Sequence, residues 1–490
     1  MTFAVQITAA DLWALLPELF LSTLLCLILT LDFIKPSGDK RLLAHLSNLG
    51  LAVLLVILAE MAVSGVDRRL FGNMFVVDRL ALFFKAFVVL STMMIIAVSV
   101  GYTEALPAFR GEYYVLVLFS ALGMLLMASA NDLLTMFITL EFSTFGFYIL
   151  VAYQRKDPAS SEAGLKLFIL GAFTASLIAF GISLIYGETG TLVFDEIARR
   201  SQTVTPGLAV GFLLILAGLG FKIGAAPFHG WIPDTYQGAP TPITAFLSIA
   251  PKGAAFAVLL RFLLSAFGAD KAHWVWLLVL LSMLSMTYGN LVAIAQSNIK
   301  RLLAYSGIAQ IGNILVGLAA ASKTGSDAIL FYLLTYLFAN LGAFAVIIAV
   351  SQQTGGDLID DYKGLNRRSP MLAATMLIFL LSLAGVPPLA GFIGKLYLFV
   401  SAAKEGLYAL IIVGLVNVVI SLYYYMVVVK KIYVNEPVDS TPLSIPPMMK
   451  TVILGSAVFV LLLGIYPRPF FALVTAATQI FVGVNVAVLQ

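Results

Sequence analysis

The chain of 490 residues carries a formal net charge of +4 and is strongly apolar, with 61% hydrophobic and 11% charged residues. Soluble domains are about a quarter charged, so the composition excludes an ordinary soluble protein and predicts an integral membrane protein. One cysteine and three scattered histidines make a disulfide framework, a metal site or haem chemistry unexpected. The chain also lacks GxGxxG after a strand and GxxxxGK[ST], so we expect neither a bound nucleotide nor a nucleic-acid partner.

Windows of roughly 20 apolar residues predict an all-α polytopic protein with about fourteen transmembrane helices. The amino terminus has no basic region and no clear cleavage site, which favours a retained first span over a cleaved signal. The apolar tail after Pro469 is expected either to cross the membrane or to lie at its interface. The predicted spans are 11–32, 41–62, 76–100, 112–128, 131–153, 162–186, 206–226, 240–263, 273–295, 301–320, 327–351, 370–399, 406–429 and 449–466.

The distribution of lysine and arginine predicts which side of the membrane each connection faces. Fourteen of the 29 basic residues lie in connections that follow odd-numbered spans, and eight lie in the other connections and the tail. Because cytoplasmic loops are enriched in lysine and arginine, the bias predicts an amino terminus outside the cytoplasm. We therefore expect a multi-pass protein of the bacterial cell membrane with a periplasmic amino terminus, in contact with the lipid bilayer.

An internal repeat becomes visible when two proline-containing stretches are aligned. The stretch GAAPFHGWI, residues 224–232, matches GVPPLAGFI, residues 385–393, with identical Gly, Pro, Gly and Ile. Further matches occur upstream at nearly the same offset, between residues 170–180 and 334–344. Proline removes a backbone donor and clashes with the preceding turn, so we expect spans 7 and 12 to be broken. For either break alone, a simple packing kink is the alternative.

The repeat period covers about five spans, an odd number, so the second copy must enter the membrane from the opposite side. This predicts two inverted five-helix repeats, spans 4–8 and 9–13, an architecture typical of secondary transporters, with broken helices near the ion site. The expected units are three amino-terminal helices (1–111), a first repeat (112–264), a second repeat (272–431), and a last helix with the tail (432–490).

Three ionisable residues lie deep inside predicted spans, where a charge is costly and is functional by default. Glu141 has no charged neighbour for eight residues before it and thirteen after it, while Lys222 and Lys252 flank the first break. At roughly 7 Å a glutamate and a lysine attract each other by about 2 kcal/mol, enough to hold or release a lysine proton. Two alternatives remain: burial could keep the Glu141 carboxyl neutral, and Lys222 could extend its side chain to the water at a span end.

Other charged residues in or near the spans allow more than one interpretation. Lys395 follows the second break and could lie toward the outer interface, and Lys85 is intermediate between a relay and a structural residue. Lys166 lies one turn from Glu162, so a local ion pair is as plausible as a relay role. For His229 a capping or loop hydrogen bond is favoured over proton transfer, and Arg261 is expected to snorkel to a span end.

Two long stretches resemble a known family. GFKIGAAPFHGWIPDTYQGAPTPITAFLSIAPK and YKGLNRRSPMLAATMLIFLLSLAGVPPLAGFIGKLYLF are similar to the subunit N family of proton-pumping NADH:quinone oxidoreductase, respiratory complex I. The likeness extends from about Asp78 to Tyr425, and GAPTPITAFLSIAPK is its discriminating part. The resemblance implies fourteen helices with two inverted repeats, in agreement with the pattern found from the residues themselves.

The resemblance also implies a proton path through four residues, Glu141, Lys222, Lys252 and Lys395, with Lys166 matching a further family lysine. Lys222 would receive a proton under the control of Glu141, Lys252 would pass it on, and Lys395 would release it outside. Gln310 stands where many relatives have histidine, which places a histidine relay in the second half in doubt. Gln237 stands where relatives often have glutamate, which removes an acidic group near the cytoplasmic entrance.

Electron transfer is expected in partner subunits, because this chain has no electron carriers of its own. The resemblance implies no cofactor here, with NADH, FMN, iron–sulfur clusters and quinone bound elsewhere in the complex, and other membrane subunits, including homologous antiporter-like ones, as partners. The chain would then be a non-redox subunit of a translocase of the EC 7.1.1 class. The alternatives are an Mrp-type cation/proton antiporter subunit, a membrane subunit of a related hydrogenase, and a structural spacer whose lysines form only static ion pairs.

Overall fold

In a computed structural model, residues 8–34, 40–106, 110–201, 203–437, 439 and 441–481 are described. The amino-terminal part contains four helices and a short hairpin, β1 (Arg68–Leu70) with β2 (Phe75–Val77), paired antiparallel with Arg69 opposite Val76. The four helices are α1 (Ala9–Ala14), α2 (Leu16–Ile34), α3 (Arg41–Val63) and α4 (Arg79–Ala105).

The named secondary-structure elements in the described middle of the chain are all helices. Its first half contains α5 (Arg110–Ala128), α6 (Leu133–Val151), α7 (Pro158–Thr189), α8 (Phe194–Arg200), α9 (Pro206–Ile223), α10 (Ile232–Gly238) and α11 (Thr241–Arg261). A π-helical turn, Phe262–Ala266, and a 3₁₀ turn, Gly268–Asp270, extend α11 toward the next helix.

The second half begins at α12 and is followed by two carboxy-terminal helices. A 3₁₀ turn, Ile359–Tyr362, lies between α14 and α15. The helices are α12 (Lys271–Ala293), α13 (Ile299–Ala319), α14 (Lys323–Thr354), α15 (Leu365–Arg368), α16 (Pro370–Ala384), α17 (Ala390–Lys404), α18 (Tyr408–Tyr433), α19 (Pro447–Ile465) and α20 (Arg468–Ala477).

Thirteen helical segments in the described residues are long and apolar enough to cross a membrane. Each coincides with one of the predicted spans, which confirms an all-α, polytopic fold. The remaining prediction, 370–399, corresponds to two short helices, α16 and α17, with a turn between them. Residues 482–490 of the expected tail lie outside the described residues, and α20 occupies the part just before them.

Three helices form the interior of the protein. The membrane-length windows of α11, α13 and α14 are 94%, 100% and 94% buried, whereas those of α2, α7 and α12 are 28%, 28% and 33% buried. The outer helices expose large apolar side chains such as Val56 at 70% and Val419 at 71%. Apolar surface of this extent fits contact with lipid, so polar side chains on α11, α13 and α14 are enclosed by protein.

Local sequence explains where the broken helices end. α9 ends before Gly224 and α16 ends before Gly385, and both glycines have positive φ, +78° and +89°. Only glycine adopts this left-handed conformation without a steric penalty, and it commonly terminates a helix. The chain resumes as a helix at Ile232 in the first case and at Ala390 in the second.

The two halves share further details of backbone structure. Helices α7 and α14 both contain 32 residues and end at a left-handed glycine, Gly190 and Gly355. Isolated β-bridges join Asp132 to Val193 in the first half and Asn298 to Leu358 in the second. These correspondences support the repeat seen in the sequence, while its inverted orientation and the four-unit division stay predictions.

Candidate functional site

The first pair of buried charges joins two helices of the first half. Lys222, in the last turn of α9, places its Nζ 3.1 Å from Oε1 of Glu141 on α6, and the two side chains are 12% and 18% exposed. The same Nζ donates to the Thr144 hydroxyl, one turn along from Glu141, at 3.0 Å. Because this carboxylate is the ion-pair partner of Lys222, moving Glu141 away would weaken the binding of the lysine proton.

A small cavity continues from Lys222 toward α11. Its volume is about 40 Å³, and it is lined by Thr144, Lys222, Leu247 and Pro251 among others. That space is enough for one or two water molecules. Pro251 lies inside α11 and lacks the N–H that would bind the carbonyl of Leu247, so this carbonyl is available to such a water. The cavity therefore reaches the residue next to Lys252.

Lys252 occupies the centre of the protein without a charged partner among the described residues. Its side chain is 1% exposed, and Nζ has no hydrogen-bond partner there. Nζ lies 5.6 Å from the centre of the Tyr236 ring, a cation–π distance. The hydroxyl groups of Tyr236 and Tyr336 also lack partners. Unpaired buried polar groups are costly, so this group of atoms is suited to binding water.

The close approach of Lys252 to α13 depends on Gly307. A Cβ atom at Gly307 would lie 3.3 Å from Nζ of Lys252 and 3.2 Å from the hydroxyl of Tyr336. Without that carbon, the lysine and the tyrosine meet above the same turn of α13. Gly307 thus makes the space in which these two polar groups lie together.

Lys395 uses the broken helix of the second half as its binding partner. Its Nζ donates to the carbonyls of Leu383 and Ala384, at 2.9 and 3.0 Å, at the end of α16. These carbonyls have no helical partner because the helix stops at Ala384. The side chain is only 4% exposed. The freed carbonyls thus satisfy the ammonium inside the protein, while its depth relative to the outer interface stays a prediction.

Gln310 connects the Lys395 site with the central helices. Its Nε2 donates to the Leu383 carbonyl at 2.9 Å, the same oxygen that Lys395 binds. Its Oε1 accepts hydrogen bonds from the Tyr332 hydroxyl and from Asn313 Nδ2. An amide can donate and accept at once without titrating, so Gln310 links these groups by hydrogen bonds alone.

Lys85 belongs to a buried ion pair that the sequence reasoning missed. Its Nζ lies 2.6 Å from Oε1 of Glu18, and the two side chains are 0% and 6% exposed. Nζ also lies 5.3 Å from the centre of the Phe75 ring. The sequence signal was present, because Glu18 precedes a run of thirteen uncharged residues in α2 that ends only at Asp32. The pair joins α2 to α4 and favours the structural interpretation of Lys85.

Arg261 does not snorkel to a water-exposed span end as expected. Its side chain is 4% exposed, and its Nη2 lies 2.6 Å from Oδ1 of Asp78, which also caps the amino terminus of α4. A buried arginine requires such a charged partner. The pair therefore joins the end of α11 to the start of α4.

Lys166 forms the local ion pair that was one of its two interpretations. Nζ lies 2.7 Å from Glu162 and 2.9 Å from Asp234, and the side chain is 41% exposed. Asp234 in turn binds Arg301 at 2.7 Å. Burial opposes ionisation of the Asp234 carboxyl, but hydrogen bonds from Arg301 and Lys166 outweigh it and lower the pKa. Lys166 is thus part of a polar network at the protein surface.

His229 lies within the first break, where the sequence favours a capping or loop hydrogen bond. Its Nδ1 is buried without a partner among the described residues, and its ring packs 4.5 Å from the ring of Tyr288. Its backbone carbonyl accepts a loop hydrogen bond from the N–H of Ile232 at 2.9 Å. The expected loop hydrogen bond is therefore made by the backbone of His229, while its imidazole faces an aromatic ring.

The arrangement defines a class of protein: a polytopic helical bundle with broken helices and buried lysines, as in ion-translocating membrane proteins. Residues 130–421 match the family described as NADH:quinone oxidoreductase/Mrp antiporter, TM. A curated relative from Desulforamulus reducens, named NADH-quinone oxidoreductase subunit N, is 42% identical over 454 residues, 92% of this chain and 94% of the relative. The chain belongs to the subunit N family of NADH-quinone oxidoreductase.

Solved structures agree with this assignment at the level of the fold. A chain of respiratory complex I from Thermus thermophilus has a TM-score of 0.81 and 34% identity, covering 94% of this chain and 99% of that one. A chain of the Mrp complex from Dietzia has a TM-score of 0.87 at 23% identity, covering 95% and 97%. The fold is therefore common to complex I and Mrp subunits, and the sequence distinguishes between them.

Proposed function

We propose that this chain is a membrane-arm subunit of a bacterial NADH:quinone oxidoreductase that moves protons outward across the cell membrane. Partner subunits would bind NADH, FMN, iron–sulfur clusters and quinone, and would carry out the electron transfer. The chain itself would be a non-redox subunit of a translocase of the EC 7.1.1 class, with no complete active site. Its neighbours in the membrane would include homologous antiporter-like subunits.

The observation that carries the proposal is the sequence of enclosed lysines along the protein interior. Lys222 is paired with Glu141, Lys252 lies unpaired beside two tyrosines, and Lys395 binds backbone carbonyls. Each lysine is stabilised in a different way, so each would hold its proton with a different affinity. Lys222 would take up a proton under the control of Glu141, Lys252 would pass it on, and Lys395 would release it.

The energies involved are of a suitable size. Moving one charge against 100 mV requires about 2.3 kcal/mol. A change of two units in the pKa of a lysine corresponds to about 2.7 kcal/mol. Opening the Glu141–Lys222 contact would weaken the hold on the lysine proton, because a nearby carboxylate favours the ammonium. One such change would suffice for one transfer step.

An Mrp-type antiporter subunit is the main alternative. The fold does not discriminate, because the Mrp chain superimposes as well as the complex I chain. Sequence favours complex I, since the identity is 42% to the Desulforamulus subunit N and 23% to the Mrp chain. Co-purification in mild detergent tests this directly: quinone-reducing partners are expected, and an Mrp set of partners would overturn the proposal.

The proton-transfer role is tested by Lys222→Ala and Glu141→Gln in the assembled complex. Both variants are expected to lower quinone-linked proton pumping, since each removes one charge of the buried pair. The matched control is Lys156→Ala, which removes an exposed lysine from the connection between α6 and α7. Unaltered pumping by both variants, at a normal level of assembly, would reject this role for the pair.

A further inference from the structure

A polar cavity of about 370 Å³ opens beside the ends of the central helices. Its lining includes Gln154, Asp157, Gln237, Lys300, Gln352 and Asp357. These residues lie in or beside connections that the basic-residue bias predicts to be cytoplasmic. We call this space the vestibule. It is far larger than the roughly 30 Å³ share of one liquid water, so water from that side can enter it.

A nearly enclosed ion pair forms the inner wall of the vestibule. Nζ of Lys300 lies 2.9 Å from Oδ2 of Asp357, and the two side chains are 6% and 22% exposed. Lys300 also donates to the carbonyl of Ala239 at 3.2 Å. Oδ1 of Asp357 has no hydrogen-bond partner among the described residues. The carboxylate thus keeps one free oxygen at the boundary between the vestibule and the protein interior.

The first half contains the same backbone structure without this pair. Ile299 N–H binds the Asp357 carbonyl at 2.8 Å, and Leu133 N–H binds the Leu192 carbonyl at 3.0 Å in the equivalent place. By this correspondence Leu134 stands where the second half has Lys300, and Leu192 stands where it has Asp357. The backbone junction therefore forms in the first half with leucine at both positions, so this backbone pairing does not itself require an ion pair.

The Lys300–Asp357 pair also lies in line with Lys252. Lys300 and Gly307 are seven residues apart on α13, which places them on one face with a separation of about 10 Å. A Cβ atom on Gly307 would lie 3.3 Å from Nζ of Lys252. On the opposite side, Ala239, which binds Lys300, follows Tyr236 by three residues, and the Tyr236 ring lies beside Lys252. Both neighbouring elements lead from the ion pair to Lys252.

We propose that the vestibule is the proton entrance of this subunit and that Asp357 and Lys300 form its gate, delivering protons to Lys252. This inference rests on the proposed function and changes only its first step, leaving the Glu141–Lys222 pair to control Lys252 through charge. Asp357 takes a proton from vestibule water and releases Lys300. The proton then passes through water to neutral Lys252, breaking the carboxyl O–H bond and forming an N–H bond, and Asp357 returns to its carboxylate form.

The most direct test replaces the ion pair by the two residues found at the equivalent positions of the first half. In Lys300→Leu/Asp357→Leu, the pair is replaced by the two residues that occupy the equivalent junction, so the complex is expected to assemble. Proton pumping should fall by about tenfold or more, the scale of losing a proton-transfer group. Asp357→Glu should keep most of the pumping because it retains a carboxylate. The control Asp360→Asn removes an exposed carboxylate from the same connection and should pump normally.

Accessibility supplies a second measurement that a structural role would not affect. Gln352→Cys in a Cys26→Ser background should react with an impermeant maleimide in inside-out vesicles and not in right-side-out ones. Labelling from the outer side only, or normal pumping by the double-leucine variant, would overturn the proposed entrance. If the double-leucine variant fails to assemble, Asp357→Asn is measured in its place. Normal pumping by Asp357→Asn would then overturn the proposed entrance. If pumping is blocked in Lys252→Met but normal in the variants of Asp357 and Lys300, the gate is rejected and the proposed function stands. If pumping is normal in Lys252→Met, the proposed function is rejected.

Discussion

Lys395 and Gln310 bind the same backbone oxygen, the carbonyl of Leu383, each at 2.9 Å. The ammonium of Lys395 is therefore bound by backbone carbonyl dipoles, whereas that of Lys222 is bound by a carboxylate. A carbonyl carries only a partial charge, so it holds the lysine proton less strongly than an ionised glutamate. This difference fits a lysine that releases protons, as proposed for the end of the path.

Replacing Lys395 tests that role. Lys395→Met keeps the length of the side chain and removes its charge, so proton pumping should fall by about tenfold or more. The control is Lys404→Met, which changes an exposed lysine near the end of the same helix α17. Pumping is measured in reconstituted vesicles and normalised to the assembled complex. Equal pumping in the two variants would show that Lys395 has no special role.

Gln310 is expected to act by positioning its neighbours. Gln310→Leu would leave the hydroxyl of Tyr332 without its acceptor and would leave Asn313 Nδ2 with only its bond to the Ala309 carbonyl. Each unpaired buried group costs about 1–3 kcal/mol, so the variant should lower both stability and pumping. Gln310→His can restore a donor and an acceptor and should recover part of the pumping. Equal pumping in Gln310→Leu and Gln310→His would contradict a hydrogen-bonding role for Gln310.

The space above Gly307 gives a steric prediction. Gly307→Ala would place a methyl group 3.3 Å from Nζ of Lys252 and 3.2 Å from the Tyr336 hydroxyl. That contact should displace water or the lysine itself and reduce pumping while the helix remains intact. Gly455→Ala in α19 is the control, because nothing lies within 4 Å of its added carbon. Normal pumping in Gly307→Ala would mean that Lys252 needs no such space.

The Glu18–Lys85 pair gives a prediction about stability. Glu18→Gln should destabilise the subunit by about 3–5 kcal/mol, since it leaves Lys85 charged and buried without its partner. The double variant Glu18→Leu/Lys85→Leu removes both charges and should be close to the wild type. Thermal unfolding of the purified complex, followed by loss of subunit association, measures the difference. A double variant as unstable as the single one would contradict this interpretation.

The helices and the first ion pair could be predicted from the sequence for clear physical reasons. Long apolar windows require helices in a membrane, and each of the thirteen long apolar helices in the described residues falls on a predicted span. A charge isolated in such a window must find a partner, which led to Glu141 and Lys222. The Gly and Pro residues likewise located both breaks, at Gly224 and Gly385.

Partners from distant parts of the chain could not be predicted in this way. Lys395 binds backbone carbonyls, which leave no trace in residue type, so its burial was left open. Arg261 is held by Asp78, 183 residues away, and its position near a span end suggested snorkelling instead. The Lys300–Asp357 pair lies at span ends, where single charges are ordinary, and only the folded chain places it beside the vestibule.

Proton transfer through the protein centre is tested most directly by counting protons pumped per NADH oxidised in reconstituted complex. Lys252→Met should assemble normally, because the lysine has no hydrogen-bond partner among the described residues, and methionine fits an enclosed apolar site. The expected result is fewer protons per NADH than in the wild type. The wild-type number of protons per NADH, at a wild-type rate, would contradict the proposed path through Lys252.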